Sequence, residues 1–167
     1  VTAVLPHYKL GGPANLQVAT LIYGGQFVMP NNATAGTTDL SIKVATSAAT
    51  TVLGVAGTDA NVVTTQTGAA NSYGQPLIDI SVLTDYAAVY YGGWDIWCWF
   101  AGQASFGQKL IIHSSSVGAV TGAGAGPAED QVVGVCSLPG GVSSAMLTQQ
   151  IGGQGSAVYF LGRARVF

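Results

Sequence analysis

Glycine constrains this chain more than any other residue. Its 24 copies are scattered through 167 residues. Each would cost a helix interior about 1 kcal/mol relative to alanine. The charged i,i+4 pairs that support exposed helices are also missing. The best helical candidate, Ser144–Ile151, is short and runs into GGQG, a stop. What lies between the glycines is a series of short apolar and β-branched runs bounded by Gly, Asn, Asp and Pro. That pattern predicts an all-β protein, a barrel or sandwich of short antiparallel strands with at most one short helix.

The expected strands are Asn15–Ile22, Gln26–Pro30, Leu40–Thr46, Thr51–Gly57, Asn61–Thr67, Leu77–Leu83, Ala87–Tyr91, Trp94–Phe100, Lys109–Ser114, Gln131–Ser137 and Ser156–Phe167. TVLGVAG, Thr51–Gly57, is almost wholly apolar, as a strand buried on both faces would be. The length suits one domain with an arm: residues 1–14 as an extended N-terminal arm and 15–167 as a β-barrel domain.

Two phrases recur. VLGVAG around Gly54 is echoed by VVGVCS around Gly134, and GGQFVM at Gly25 by FGQKLI at Gly107. The pairs stand at nearly equal separations. A Gly-rich β chain produces such echoes by chance. The other reading is a strand that needs glycine because another backbone or a large side chain crosses it closely.

The surface implied by the composition is unusual. Hydrophobic residues make up 49 % and charged residues only 7 %, with a net charge of −2. A free soluble surface carries about 25–35 % charged residues. A chain this poor in charge suits a subunit packed against other subunits. There is no basic footprint for nucleic acid and no polybasic membrane patch. The most apolar segment, Tyr86–Gly102, is too short to span a bilayer. The first residues show no signal-peptide pattern; loss of an initiator Met before Val1 is the simpler account, a removed leader the other. Cys98 and Cys136 read as buried free thiols in a reducing compartment, with a single bridge as the alternative.

The cadence GGQFVM…TVLGVAG, then YYGGWDIWCWFAG…FGQKLIIHSSSVGAVTG…DQVVGVC, resembles the small β-barrel decoration, or capsid cement, proteins of tailed bacteriophages. The likeness covers Gly24–Ser137 and rests on turn and strand geometry rather than on a chemical signature. A heavier Trp strand and a longer tail after Gly140 depart from it. The resemblance implies a structural virion protein on the outer capsid surface, assembled in the host cytoplasm. It would bridge major capsid protein subunits of the expanded shell, commonly as a homotrimer at three-fold positions, with no cofactor and no enzymatic activity. Two other classes remain: a phage tail or fibre subunit, and a carbohydrate-binding β module.

No chemical motif competes strongly. GAGAG, Gly122–Gly126, is followed by Pro127 and no helix, so it is neither a dinucleotide nor a P-loop signature. Val120–Asp130 is read as a long loop. His7, His113, Cys98 and Cys136 match no zinc spacing. No G-x-S-x-G elbow occurs. Cys98 with His113 would make a dyad, but Cys98 lies in an alternating strand and reads as core. Asp39 and Asp59 suit turns. Asn32–Thr34 is a glycosylation sequon that matters only in a secreted protein.

The segment YYGGWDIWCWF is the most informative. Alternation sends Trp94, Ile96, Cys98 and Phe100 to one face and Asp95, Trp97 and Trp99 to the other. The second aromatic face needs a cover: another part of this chain, a neighbouring subunit, or a sugar stacked beside Asp95. In the arm, Val4, Leu5, Tyr8 and Leu10 would each forfeit about 1.5–3 kcal/mol if left in water. They are therefore expected against a neighbouring protein. Arg163 and Arg165 alternate outward from the last strand, towards an acidic capsid surface or towards solvent. The candidate interface is thus Val4, Leu5, Tyr8, Leu10, Trp97, Trp99, Arg163 and Arg165.

Overall fold

The computed structural model describes residues 13–32, 34, 41–47, 51–60, 86–114, 117–124, 131–153 and 156–167. Within them the protein is all-β. The strands are β1 (Ala14–Gln17), β2 (Phe27–Pro30), β3 (Ile42–Val44), β4 (Gly54–Ala56), β5 (Tyr86–Tyr90), β6 (Asp95–Phe100), β7 (Lys109–Ile112), β8 (Val120–Gly122), β9 (Val132–Cys136) and β10 (Phe160–Val166). The expected strands Asn61–Thr67 and Leu77–Leu83 lie outside the described residues, as does the arm up to Gly12; Ala14, its last expected residue, opens β1.

The region expected as one barrel holds two lobes built to one plan. The first is a five-stranded sheet in the order β1-β5-β4-β2-β3. The second is a closed barrel, and its strands read from β6 run β6-β10-β9-β7-β8. Each strand of the second lobe takes the place of the strand five earlier. The registers agree as well. Phe27 faces Val55 and Val28 faces Gly54, as Lys109 faces Val135 and Leu110 faces Gly134. Val55 faces Tyr90 as Val135 faces Arg165. A parallel contact closes the barrel between Phe100 and Val120, and its counterpart in the first lobe is the parallel bridge Val18–Ile42.

The echoed phrases are the hinge points of this repeat. Gly25 and Gly107 both hold positive φ in a tight turn, 87° and 78°. The glutamine after each locks that turn the same way. Gln26 Oε1 accepts from Tyr23 N at 2.7 Å, and Gln108 Oε1 accepts from Ser105 N at 2.8 Å. Their amides then diverge. Gln26 Nε2 donates across the lobe junction to Val117 O, whereas Gln108 Nε2 donates within its own lobe to Ala123 O.

Core positions repeat with compensating volumes. Val18, Ile22, Val28, Ile42, Ala56, Ala60 and Val89 fill the first lobe. Phe100, Ala104, Leu110, Val120, Cys136, Val142 and Ala164 fill the second at the same places. Phe replaces Val where Ala replaces Ile, which keeps the total volume nearly constant, as a packed core tolerates best.

The lobes also share apolar contact. Phe27, Ala45 and Val55 point away from the first lobe's interior and join the second lobe's core. Alternation demands this: Val28, Val44 and Ala56 beside them face inward. The strand around Gly54 is therefore buried on both faces, as its composition indicates. Phe27 N donates to Gly118 O at 2.8 Å, and Gly118 N to Ala45 O at 3.1 Å, stitching the junction.

Two local expectations change. Val120–Gly122 was expected inside a loop and is β8, the strand that closes the barrel. The helix expected over Ser144–Ile151 is two separate 3-10 turns, Ser144–Met146 and Ile151–Gly153. Gln149 between them bridges Tyr159, which draws the backbone into an extended pairing instead.

Candidate functional site

The alternation expected in β6 holds within Asp95–Phe100, but Trp94, expected on the face of Cys98 and Phe100, precedes the strand and is exposed. Cys98 and Phe100 are fully buried, while Asp95 and Trp97 are exposed. The two outward tryptophans have different fates. Trp99 is half-buried beside Tyr23 and Ala101, and its indole N–H donates to Gly24 O at 2.7 Å. The cover over Trp99 is thus the same chain, with Gly24 and Gly25 of the first lobe and the Ala119, Ile151 and Tyr159 cluster of the second. Trp97 is 52 % exposed and Trp94 41 %.

Where the lobes meet, these side chains line a cleft of about 420 Å³. The first lobe contributes Gly24, Gly25, Ala56, Gly57 and Tyr90; the second contributes Trp94, Asp95, Ile96, Trp97 and Leu161. Tyr90 and Trp94 meet edge to face, with ring centroids 5.4 Å apart. The floor is open because its residues are small. A Cβ on Gly57 would run into the Tyr90 ring, and one on Gly25 would come 3.0 Å from the Trp99 ring. The second lobe carries Ser137 and Phe106 where the first has Gly57 and Gly24.

Asp95 stands at the rim, at the start of β6. Its carboxylate accepts from Arg163 Nη2 at 2.5 Å and from Ser137 Oγ. Arg163 faces Trp97 across the β6–β10 ladder, so its bond to Asp95 runs diagonally. Arg165 stands two residues on, on the same face and exposed, in one row with Lys109, Val135 and Asp95. Among the expected interface residues, the structure therefore brings together Trp97, Trp99, Arg163 and Arg165 around β6 and β10. Val4, Leu5, Tyr8 and Leu10 lie outside the described residues. Asp59, expected to serve its own turn, instead accepts from Gly24 N in the distant turn before β2, at 2.6 Å, and Asp39 lies outside the described residues. Sequence reasoning missed the first-lobe half of the cleft, for which the run of small residues at Gly24–Gly25 and Ala56–Gly57 was the available signal.

Cys98 and Cys136 are free, buried, and directed into the second lobe's core. Burial, with a smaller contribution from Cys136, pushes the Cys98 thiol far above its ordinary value. Burial raises the Cys136 thiol too. A catalytic thiol needs the opposite shift. Among the described residues no group of three or more His, Cys, Asp or Glu could hold a metal ion. The chain matches no known family, and no curated protein matches it.

Proposed function

We infer that this chain is a structural virion protein that decorates the outer surface of an assembled phage capsid and stabilises it by bridging major capsid protein subunits. The observation that carries this reading is the large apolar side chains left exposed among the described residues beside cores that are already well filled. Phe106 is 66 % exposed, and Val158, Phe167, Tyr86 and Tyr91 are exposed beside it in the count of large apolar side chains left in water. Only 7 % of the chain is charged to offset them. Scattered apolar residues are normal on any surface. Their combination with so little charge favours a partner.

The work done would be mechanical: modest buried area per copy, repeated over many sites, adds up to large collective resistance of the shell. The arm residues Val4, Leu5, Tyr8 and Leu10 and the outward Arg165 are the proposed capsid contacts, with a homotrimer as the proposed form. No step of this function requires a cofactor or a reacting group.

The test removes the arm. A chain lacking residues 1–12 should keep the native circular-dichroism spectrum and lose binding to purified, expanded capsids of its phage by at least about tenfold. Equal decoration by the shortened chain would remove the arm from the account. Binding to purified tails in preference to capsids would instead establish the tail or fibre reading.

A further inference from the structure

The internal repeat acts as a control for the cleft. β1 and β6 occupy the same place in their lobes, yet β1 carries Asn15 and Gln17 where β6 carries Trp97 and Trp99. Trp99 has a structural use, since it bonds Gly24 and packs the lobe junction. Trp97 does not: half its surface is in water, and the same strand position is filled by Asn15 in the first lobe. The fold therefore does not need an indole there. On the facing wall the first lobe carries Gly24 and Gly57 where the second carries Phe106 and Ser137. Each wall departs from its counterpart in the direction that opens the cleft and lines it with aromatic faces.

We propose that this cleft is a binding site for a neutral saccharide, one pyranose ring seated against Trp97 and Trp94. Its volume, about 420 Å³, falls in the range of small-ligand sites, which favour junctions between folded units. A sugar ring has an apolar C–H face and an equatorial belt of hydroxyls, and the cleft offers both partners. The exposed indole faces take the C–H side. At the rim the Asp95 carboxylate, held in place by Arg163 and Ser137, supplies an acceptor. The Trp99 indole N–H is already bonded, but among the described residues Trp94 and Trp97 have no acceptor for theirs, leaving two donors for hydroxyls. An apolar peptide side chain fits less well, because it would cover the charged rim without bonding to it. The site goes beyond capsid binding and does not depend on it.

The experiment uses the full chain with cellopentaose, maltopentaose and N-acetylchitopentaose, followed by tryptophan fluorescence and titration calorimetry. At least one should bind saturably. Trp97→Asn, which installs the first lobe's own residue, should keep the melting temperature and weaken binding about tenfold or more, with Asp95→Asn weakening it as well. Phe106→Ser, outside the cleft, should bind as the wild type does. Absence of saturable binding to all three up to roughly 10 mM would overturn the proposal. So would undiminished affinity in both Trp97→Asn and Asp95→Asn. Loss of capsid binding in Trp97→Asn with no saccharide bound by the wild type would reassign the cleft to the shell, while leaving the decoration reading standing.

Discussion

Gly54 and Gly134 stand where two backbones cross. A Cβ on Gly54 would collide with the carbonyl oxygen of Tyr90, and one on Gly134 with that of Arg165. Gly54 also holds φ at 154°, where side chains are strained. The echo in the sequence thus has a steric cause, repeated because the lobe is repeated. Alanine at either position should lower stability by about 1–3 kcal/mol, read as a fall in the urea midpoint. Gly124→Ala, with no atom within 4 Å of the added carbon, should leave the midpoint unchanged. The two core thiols give a pH signature. Both hold their protons more tightly folded than unfolded, so above the ordinary thiol value of 9.0 the unfolded chain sheds protons that the folded chain keeps. Stability is then full below that pH and falls as pH rises, by at most about 1.4 kcal/mol per pH unit for each thiol. The urea midpoint should drop between pH 8 and pH 10 by less in Cys98→Ala, measured relative to its own pH 8 value. Equal drops in the two proteins would contradict the buried-thiol assignment.

At the scale of elements, β2 joins the lobes. Phe27 leaves its own lobe's interior and enters the other's core, and its N–H bonds Gly118. Phe27→Ala should cost about 3–5 kcal/mol. All three tryptophans lie in or just before β6, and Trp94 and Trp99 touch the first lobe, so their fluorescence reports the second lobe together with the junction. The fluorescence midpoint should fall although the substitution is in the first lobe; an unchanged midpoint would mean that the lobes unfold independently. The elements legible in the sequence were those with a clear period. β6 could be placed from alternation alone, and the doubly buried β4 from its unbroken apolar run. β8 was not legible because three residues, VTG, carry no period and border a Gly-rich stretch. The two 3-10 turns looked like a helix because SAM and LTQQI have ordinary helix propensity; the pairing of Gln149 with Tyr159, distant in sequence, overrode it. Half of the cleft was visible as the Trp strand. The other half was not, since glycine and alanine reveal a concavity only once the facing wall is known.

At the scale of the molecule, the repeat explains how a chain so rich in glycine and so poor in charge holds together: two small lobes that share one apolar junction. Two junction residues have polar, exposed counterparts, Gln17 for Trp99 and Lys109 for Phe27, while Val135 stands where Val55 does. What remains outward is apolar surface with few charges, which we propose is covered by a capsid. The most direct test follows the chain, with an antibody, through a density gradient of the virions it is proposed to decorate. The account predicts that it bands with DNA-filled heads and is released by mild denaturant before the shell opens. A chain recovered only at the top of the gradient as a free monomer, with none on the heads, would contradict it.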